Sequence, residues 1–144
     1  MLQPASLPNR IRAFYERVSQ ERGAALVDLP NLYSEDVHFI NPVVDQRGLA
    51  AFRGAWDEAL RKYKVFQFHD IEVIGTDEQF SLTYSMTISF GFGPSFITDM
   101  ATSCRARDGR VVYLRDYFDP LGALMQPLGP LSWCYKKVFG LLVA

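Results

Sequence analysis

Along residues 80–90 apolar and polar side chains alternate almost without fault. Phe80, Leu82, Tyr84, Met86, Ile88 and Phe90 fall on one side, and Ser81, Thr83, Ser85, Thr87 and Ser89 on the other. A two-residue period marks a strand buried on one face. The same reading predicts strands over 65–74, 96–107 and 109–120, joined by a turn at 75–78, a Gly- and Pro-bearing turn at 91–94, and a tight Asp108-Gly109 hairpin. Before residue 64 the period is helical. Residues 9–22 place Ile11, Phe14, Tyr15 and Val18 on one stripe and stop at Gly23, and residues 49–63 do the same with Phe52, Ala55, Trp56, Ala59, Leu60 and Tyr63. Between these lie a short helical or turn segment at 26–33, kinked near Pro30, and a brief strand over 37–41 that ends at Pro42. Short helices are predicted at 121–126 and 131–142, separated by Pro127 and Pro130.

Helices first and hairpins afterwards predict an α+β domain, with helices packed on one face of a bent antiparallel sheet. Residues 1–144 are read as a single domain, with 121–144 as its C-terminal helical extension; no repeat, linker or low-complexity segment divides them. The concave side of such a sheet is a natural place for a cavity, and 14% aromatic residues could furnish its walls.

The candidate chemistry lies in the last predicted strand. Val112, Leu114, Asp116 and Phe118 share one face, and Val111, Tyr113, Arg115, Tyr117 and Asp119 the other. Asp116 therefore interrupts an apolar face. Burial there would raise its pKa toward the range of a general base; the alternative is an acid that only accepts hydrogen bonds from the sheet. Asn41, ahead of Pro42, is either a turn cap or a site residue. Tyr15 stands on an otherwise apolar helix face as a core residue or a hydrogen-bond donor. Arg115 and Asp119 are read as solvated ions. His38, His69 and Asp99 are placed on outward faces.

Charge and cysteine content narrow the partners. A net charge of −1 lacks the positive excess that nucleic-acid binding needs. Two cysteines, Cys104 and Cys134, make a secreted disulfide framework improbable and fit reduced thiols in a cytoplasm. The two histidines lack the spacing of a metal site, so no metal is expected. The first eight residues carry no basic region followed by an apolar run, so no leader is read. The apolar stripe of Leu131, Tyr135, Val138, Phe139 and Leu142 is too short to span a bilayer and carries Lys136 and Lys137. It could cover the sheet's mouth, form a dimer seam or touch a membrane surface.

Two segments, Leu-Tyr-Ser-Glu-Asp-Val-His-Phe-Ile-Asn-Pro at 32–42 and Asp-Gly-Arg-Val-Val-Tyr-Leu-Arg-Asp-Tyr-Phe-Asp-Pro at 108–120, in this order of elements, resemble the SnoaL-like branch of the nuclear transport factor 2 superfamily over residues 9–122. The resemblance implies a cone-shaped, strongly bent antiparallel sheet with helices on its concave face. It also implies an apolar cavity and a homodimer, and it covers both enzymes and non-catalytic binding modules.

Within that superfamily, limonene-epoxide hydrolase is similar at Arg-Asp-Tyr-Phe-Asp, where its water-activating base matches Asp116. Its water-holding Asn matches Asn41, a Tyr of its site falls on Phe39, and its Arg-x-Asp pair would fall at 84–88, where neither residue type occurs. Ketosteroid isomerase places its oxyanion Tyr on Tyr15, its basic Asp on Asn41 and its protonated Asp near Thr102. These likenesses imply cofactor-independent hydrolase, isomerase or cyclase chemistry on a small hydrophobic ligand, with no cofactor. Asp116, Asn41 and Tyr15 are the candidate catalytic residues. Phe39, Trp56, Tyr84, Met86, Met100, Thr102, Leu114 and Phe118 are the candidate ligand contacts.

Overall fold

The computed structural model describes residues 5–143, so the reading of the first residues lies largely outside it. The chain runs through helix α1 (Leu7–Glu21), a 3-10 turn (Arg22–Asp28), α2 (Leu29–Leu32), strands β1 (Tyr33–Asn41) and β2 (Val44–Arg47), and α3 (Leu49–Lys62). Four strands follow, β3 (Val65–Gly75), β4 (Gln79–Ser89), β5 (Phe96–Arg107) and β6 (Arg110–Tyr117). The chain then enters α4 (Pro120–Met125), a 3-10 turn (Gln126–Leu128) and α5 (Pro130–Val143).

The six strands form one curved, unclosed sheet in the order β2-β1-β6-β5-β4-β3. All neighbours are antiparallel except β1 and β6, which run parallel. Helices α1 and α3 lie on the concave face. Their apolar stripes, Ile11, Phe14, Tyr15 and Val18 on one and Phe52, Trp56 and Leu60 on the other, are buried against the inward residues of the sheet. Aromatic rings tie the layers together: Phe14 and Tyr15 both meet Trp56 edge-on, and Tyr15 also meets Phe68 and Tyr84.

The ends of the helices are pinned by specific polar contacts. The backbone N–H of Leu7 donates to Asp77 Oδ1 in the β3–β4 turn at 2.7 Å, so α1 starts two residues earlier than Asn9 suggests. Arg22, at φ +55°, leaves α1 and sends its guanidinium to the carbonyls of Leu60 and Tyr63 at 2.6 and 2.7 Å. Those are carbonyls that the end of α3 would leave without partners.

Two bulges set which residues face inward. Between β3 and β4, Asp70 and Ile71 together oppose one residue, and Asp70 adopts φ +53°. The bulge keeps Phe66, Phe68 and Ile71 on the buried side although their spacing changes from two to three. Between β5 and β6, Arg105 faces Tyr113 and Ala106 faces Val111, leaving Val112 as the additional residue. A strict two-residue alternation puts Val111 outside and Val112 inside; the bulge reverses this, and Val111 is fully buried while Val112 is only partly so. From Leu114 onward the expected alternation is in register again.

Two further differences from the sequence pattern concern the chain's first strand and its end. β1 ends ahead of Pro42 as expected but begins at Tyr33 rather than Val37, and the turn at Pro42 leads into a further strand, β2, that periodicity does not reveal. Helix α5 packs against α4 rather than over the mouth of the sheet, and neither helix buries a residue. Among the described residues no helix is long and apolar enough to cross a membrane.

Candidate functional site

Between α3 and the concave sheet lies a cavity of about 550 Å³. Its walls come from elements far apart in sequence. Tyr15 of α1, Trp56 with its neighbours on α3, Phe39 and Asn41 of β1, and Val44 and Gln46 of β2 line one part. Phe66, Phe68, Tyr84, Met86, Met100, Leu114, Asp116 and Phe118 line the sheet side. Of the residues singled out in sequence, only Thr102 is not in the wall; it is fully buried directly behind it.

Asp116 sits on β6 with its side chain turned to the same side as Leu114, opposite Thr102 of β5. Thr102 Oγ1 donates to Asp116 Oδ1 at 2.6 Å and lies 2.9 Å from the Tyr84 hydroxyl. A threonine hydroxyl has one proton to give. With Asp116 ionised, the order must be Tyr84 to Thr102 to Asp116, and Oδ2 is left with no protein donor among the described residues. Burial pushes the Asp116 carboxyl up to about 6, and the Thr102 hydrogen bond pulls back against it. No cation contributes to holding it ionised.

The tyrosines beside it remain neutral phenols. Burial raises Tyr15 well above its ordinary value, and the nearby Tyr84, Tyr33 and Asp116 raise it further. Tyr84 is raised chiefly by burial and then by Asp116, against the hydrogen bond with Thr102. Such groups donate hydrogen bonds at neutral pH and do not release their protons. Tyr33, which the helical or turn pattern of 26–33 includes, is fully buried as the first residue of β1, and its hydroxyl has no hydrogen-bond partner among the described residues.

Asn41 is divided between two tasks. Its Oδ1 accepts the backbone N–H groups of Val43 and Val44 at 2.9 and 2.8 Å, closing the β1–β2 turn around Pro42. That commits the oxygen and leaves the amide NH2 as the group it can offer to the cavity it lines. Gln46, one turn further on, is a wall residue that sequence reasoning missed; it lies in a four-residue polar strand with no alternation strong enough to reveal a buried face. Its Oε1, like Trp56 Nε1, is buried without a partner among the described residues.

Glu58 and Lys62 of α3 also line the cavity, whereas the polar residues read from sequence as outward-facing lie away from it. His38 Nε2 pairs with Asp45 Oδ1 at 2.7 Å across β1 and β2, and Ser85 donates to Asp99 at 2.5 Å on the outer face. Asp119 is not the free surface ion that its sequence position suggests. It caps α4 by accepting from Gly122 N–H at 2.8 Å and takes the Tyr135 hydroxyl at 2.8 Å.

A family model described as the SnoaL-like domain matches residues 11–114, well over half of the chain. The chain belongs to the SnoaL-like family. No curated protein matches this SnoaL-like domain. Among solved structures it is similar to a candidate polyketide cyclase from Pseudomonas putida at 18% identity, TM-score 0.71, covering 86% of this chain and 98% of that one. It is also similar to a protein of ketosteroid isomerase-like fold from Catenulispora acidiphila, in complex with trimethylamine, at 15% identity and TM-score 0.70, covering 87% and 95%. A candidate SnoaL-like polyketide cyclase from Jannaschia is 12% identical, TM-score 0.67, with 87% and 96% covered. At these identities the likeness establishes the fold that the SnoaL-like domain shares with them.

Proposed function

We propose that this SnoaL-like domain binds a small apolar or polycyclic molecule in its cavity and acts on it without a cofactor, with Asp116 as general base. The observation that carries the reading is a carboxyl in the cavity wall with one oxygen held by Thr102, the other free, and a pKa raised to about 6. Such a group is ionised near neutrality yet basic enough to take a proton. In this reading Oδ2 removes a proton from water or from an activated carbon. The Asn41 amide NH2 orients the water or the substrate, and the neutral Tyr15 hydroxyl donates to the oxygen that gains charge. Phe39, Trp56, Met86, Met100, Leu114 and Phe118 supply apolar contact, and Tyr84 and Thr102 position the base. The free thiols Cys104 and Cys134 suit a reducing cytoplasm, and the homodimer expected of the family is read by sedimentation.

The test is turnover of a panel of epoxides and activated carbonyl compounds by the wild type, Asp116→Asn and Asn41→Ala. Loss of about 10²–10⁴-fold in Asp116→Asn with the fold retained is expected. Undiminished turnover in that variant would overturn the assignment.

A second reading, a non-catalytic ligand-binding or dimerisation module, has its own observation. Tyr84, Ser85, Met86, Thr87 and Ile88 provide no Arg or Asp, so Asp116 has no carboxylic acid facing it from β4. Native mass spectrometry separates the two: an apolar passenger that stays bound and leaves unchanged favours the module.

A further inference from the structure

Ten of the sixteen large apolar residues exposed among the described residues lie in the α4–α5 arm, residues 121–143. The other six are scattered over the rest of the chain. In α5 the apolar residues are not random. Leu131, Val138 and Leu142 recur at helical spacing with Phe139 and Leu141 beside them, while Lys136 and Lys137 fall on the opposite arc. Leu141 and Leu142 are 77% and 76% exposed, so neither α4 nor the sheet covers this face. Lys137 Nζ lies 4.6 Å from the Trp133 ring, which keeps the indole on the basic side.

Charge is segregated in the same way. Residues 120–144 contain Lys136 and Lys137 and no Asp or Glu; with a net charge of −1 overall, the remainder carries −3. Exposed apolar area beside positive charge supplies the two attractions that hold a surface helix at an anionic lipid interface. Its 14 residues span about 21 Å, enough to lie along a bilayer surface and not to cross one.

The alternative occupant, a second copy of the chain, is disfavoured by area. An arm-to-arm contact would rest on one short helix per chain, well below the roughly 1,200–2,000 Å² of a stable interface.

We infer that the α4–α5 arm docks on a bilayer surface carrying anionic lipid headgroups, with Leu141 and Leu142 in the acyl boundary and Lys136 and Lys137 at the headgroups. The arm begins at Pro120, two residues after Phe118 in the cavity wall, so docking sets the bilayer beside the cavity's rim. The inference stands independently of any chemistry at Asp116.

Flotation of the full chain with vesicles of phosphatidylcholine and phosphatidylglycerol in equal parts, and with phosphatidylcholine alone, tests it. The wild type should float with the mixed vesicles and much less with the neutral ones. Lys136→Gln with Lys137→Gln should weaken binding by about 25-fold, about fivefold for each lysine. Leu141→Gln with Leu142→Gln should reduce it to background. All four positions are exposed, so circular dichroism should show both variants folded like the wild type. A wild type that does not float, or lysine variants that float as well as it does, overturns the inference. So does a wild-type dimer that the leucine pair of substitutions dissociates without vesicles, which would make the second copy the occupant.

Discussion

Asp116 is held near 6 because burial penalises its ionised form, and only the Thr102 hydroxyl favours that form. Its ordinary value is 3.8, so between about pH 4 and 6 the native state keeps a proton that the unfolded chain has released. The stability tied to this group is therefore full below about pH 4 and is lost as pH rises through about 6, by up to about 3 kcal/mol. Asp116→Asn keeps an acceptor for Thr102 without the buried charge. Urea unfolding should find this variant more stable than the wild type at pH 8, with the gap closing toward pH 4. A variant weaker by more than about 2 kcal/mol at pH 8 would instead make Asp116 a structural partner. Thr102→Val removes the one hydrogen bond that lowers the Asp116 pKa and leaves the Tyr84 hydroxyl unpaired. Carboxyl NMR titration should then place Asp116 above its wild-type value, with a stability loss of about 1–3 kcal/mol. An unchanged titration would show that the hydroxyl does not tune the base.

The helices and β4 were legible in the sequence because one period runs through each of them. The stripe of Phe52, Trp56 and Leu60 and the alternation of Phe80, Leu82 and Tyr84 are the buried faces observed. Asp108 and Gly109 both take positive φ, as the hairpin their dipeptide signals requires. The bulges at Asp70 and Val112 were not legible, since a bulge is a relation between a strand and its partner and leaves no mark on one strand's composition. The parallel pairing of β1 with β6 joins residues 75 to 78 positions apart, beyond any local signal. The site divides in the same manner. Asp116 announced itself by interrupting an apolar face, whereas Thr102 as its donor depends on the β5–β6 register and Gln46 on a strand too short to read. The β3–β4 hairpin that carries Tyr84 has its own strict requirement. Gly75 adopts φ +130°, and a Cβ there would lie 2.6 Å from Phe80 Cα, with no flexible side chain to give way. Gly75→Ala should cost more than about 2 kcal/mol in a denaturant melt. Gly93→Ala, at φ +75° with nothing within 4 Å, isolates the backbone strain alone and should cost about 1–2 kcal/mol. Equal losses would place the requirement in the dihedral rather than in the close approach.

Across the whole molecule the chain divides into a body that holds the cavity and an arm that does not contribute to its core. Every residue of the buried hydrophobic cluster lies between Leu7 and Leu114, and no residue of α4 or α5 is buried. The matched family domain, residues 11–114, falls within the same limits. Because stability is distributed according to buried contacts, the arm belongs to the low-stability end of the structure, and its opening should not require the sheet to open. A chain ending at Asp119 keeps Phe118 and the remainder of the cavity wall. It loses the Asp119 bonds to Gly122 and Tyr135, both at exposed positions. Its unfolding free energy should therefore lie within about 1 kcal/mol of that of the full chain. Ligand binding in the cavity should persist while vesicle flotation is lost. A loss of more than about 2 kcal/mol on truncation would mean that the arm is packed into the body in solution. Its apolar face would then be covered by the chain itself, leaving no surface for a bilayer to meet.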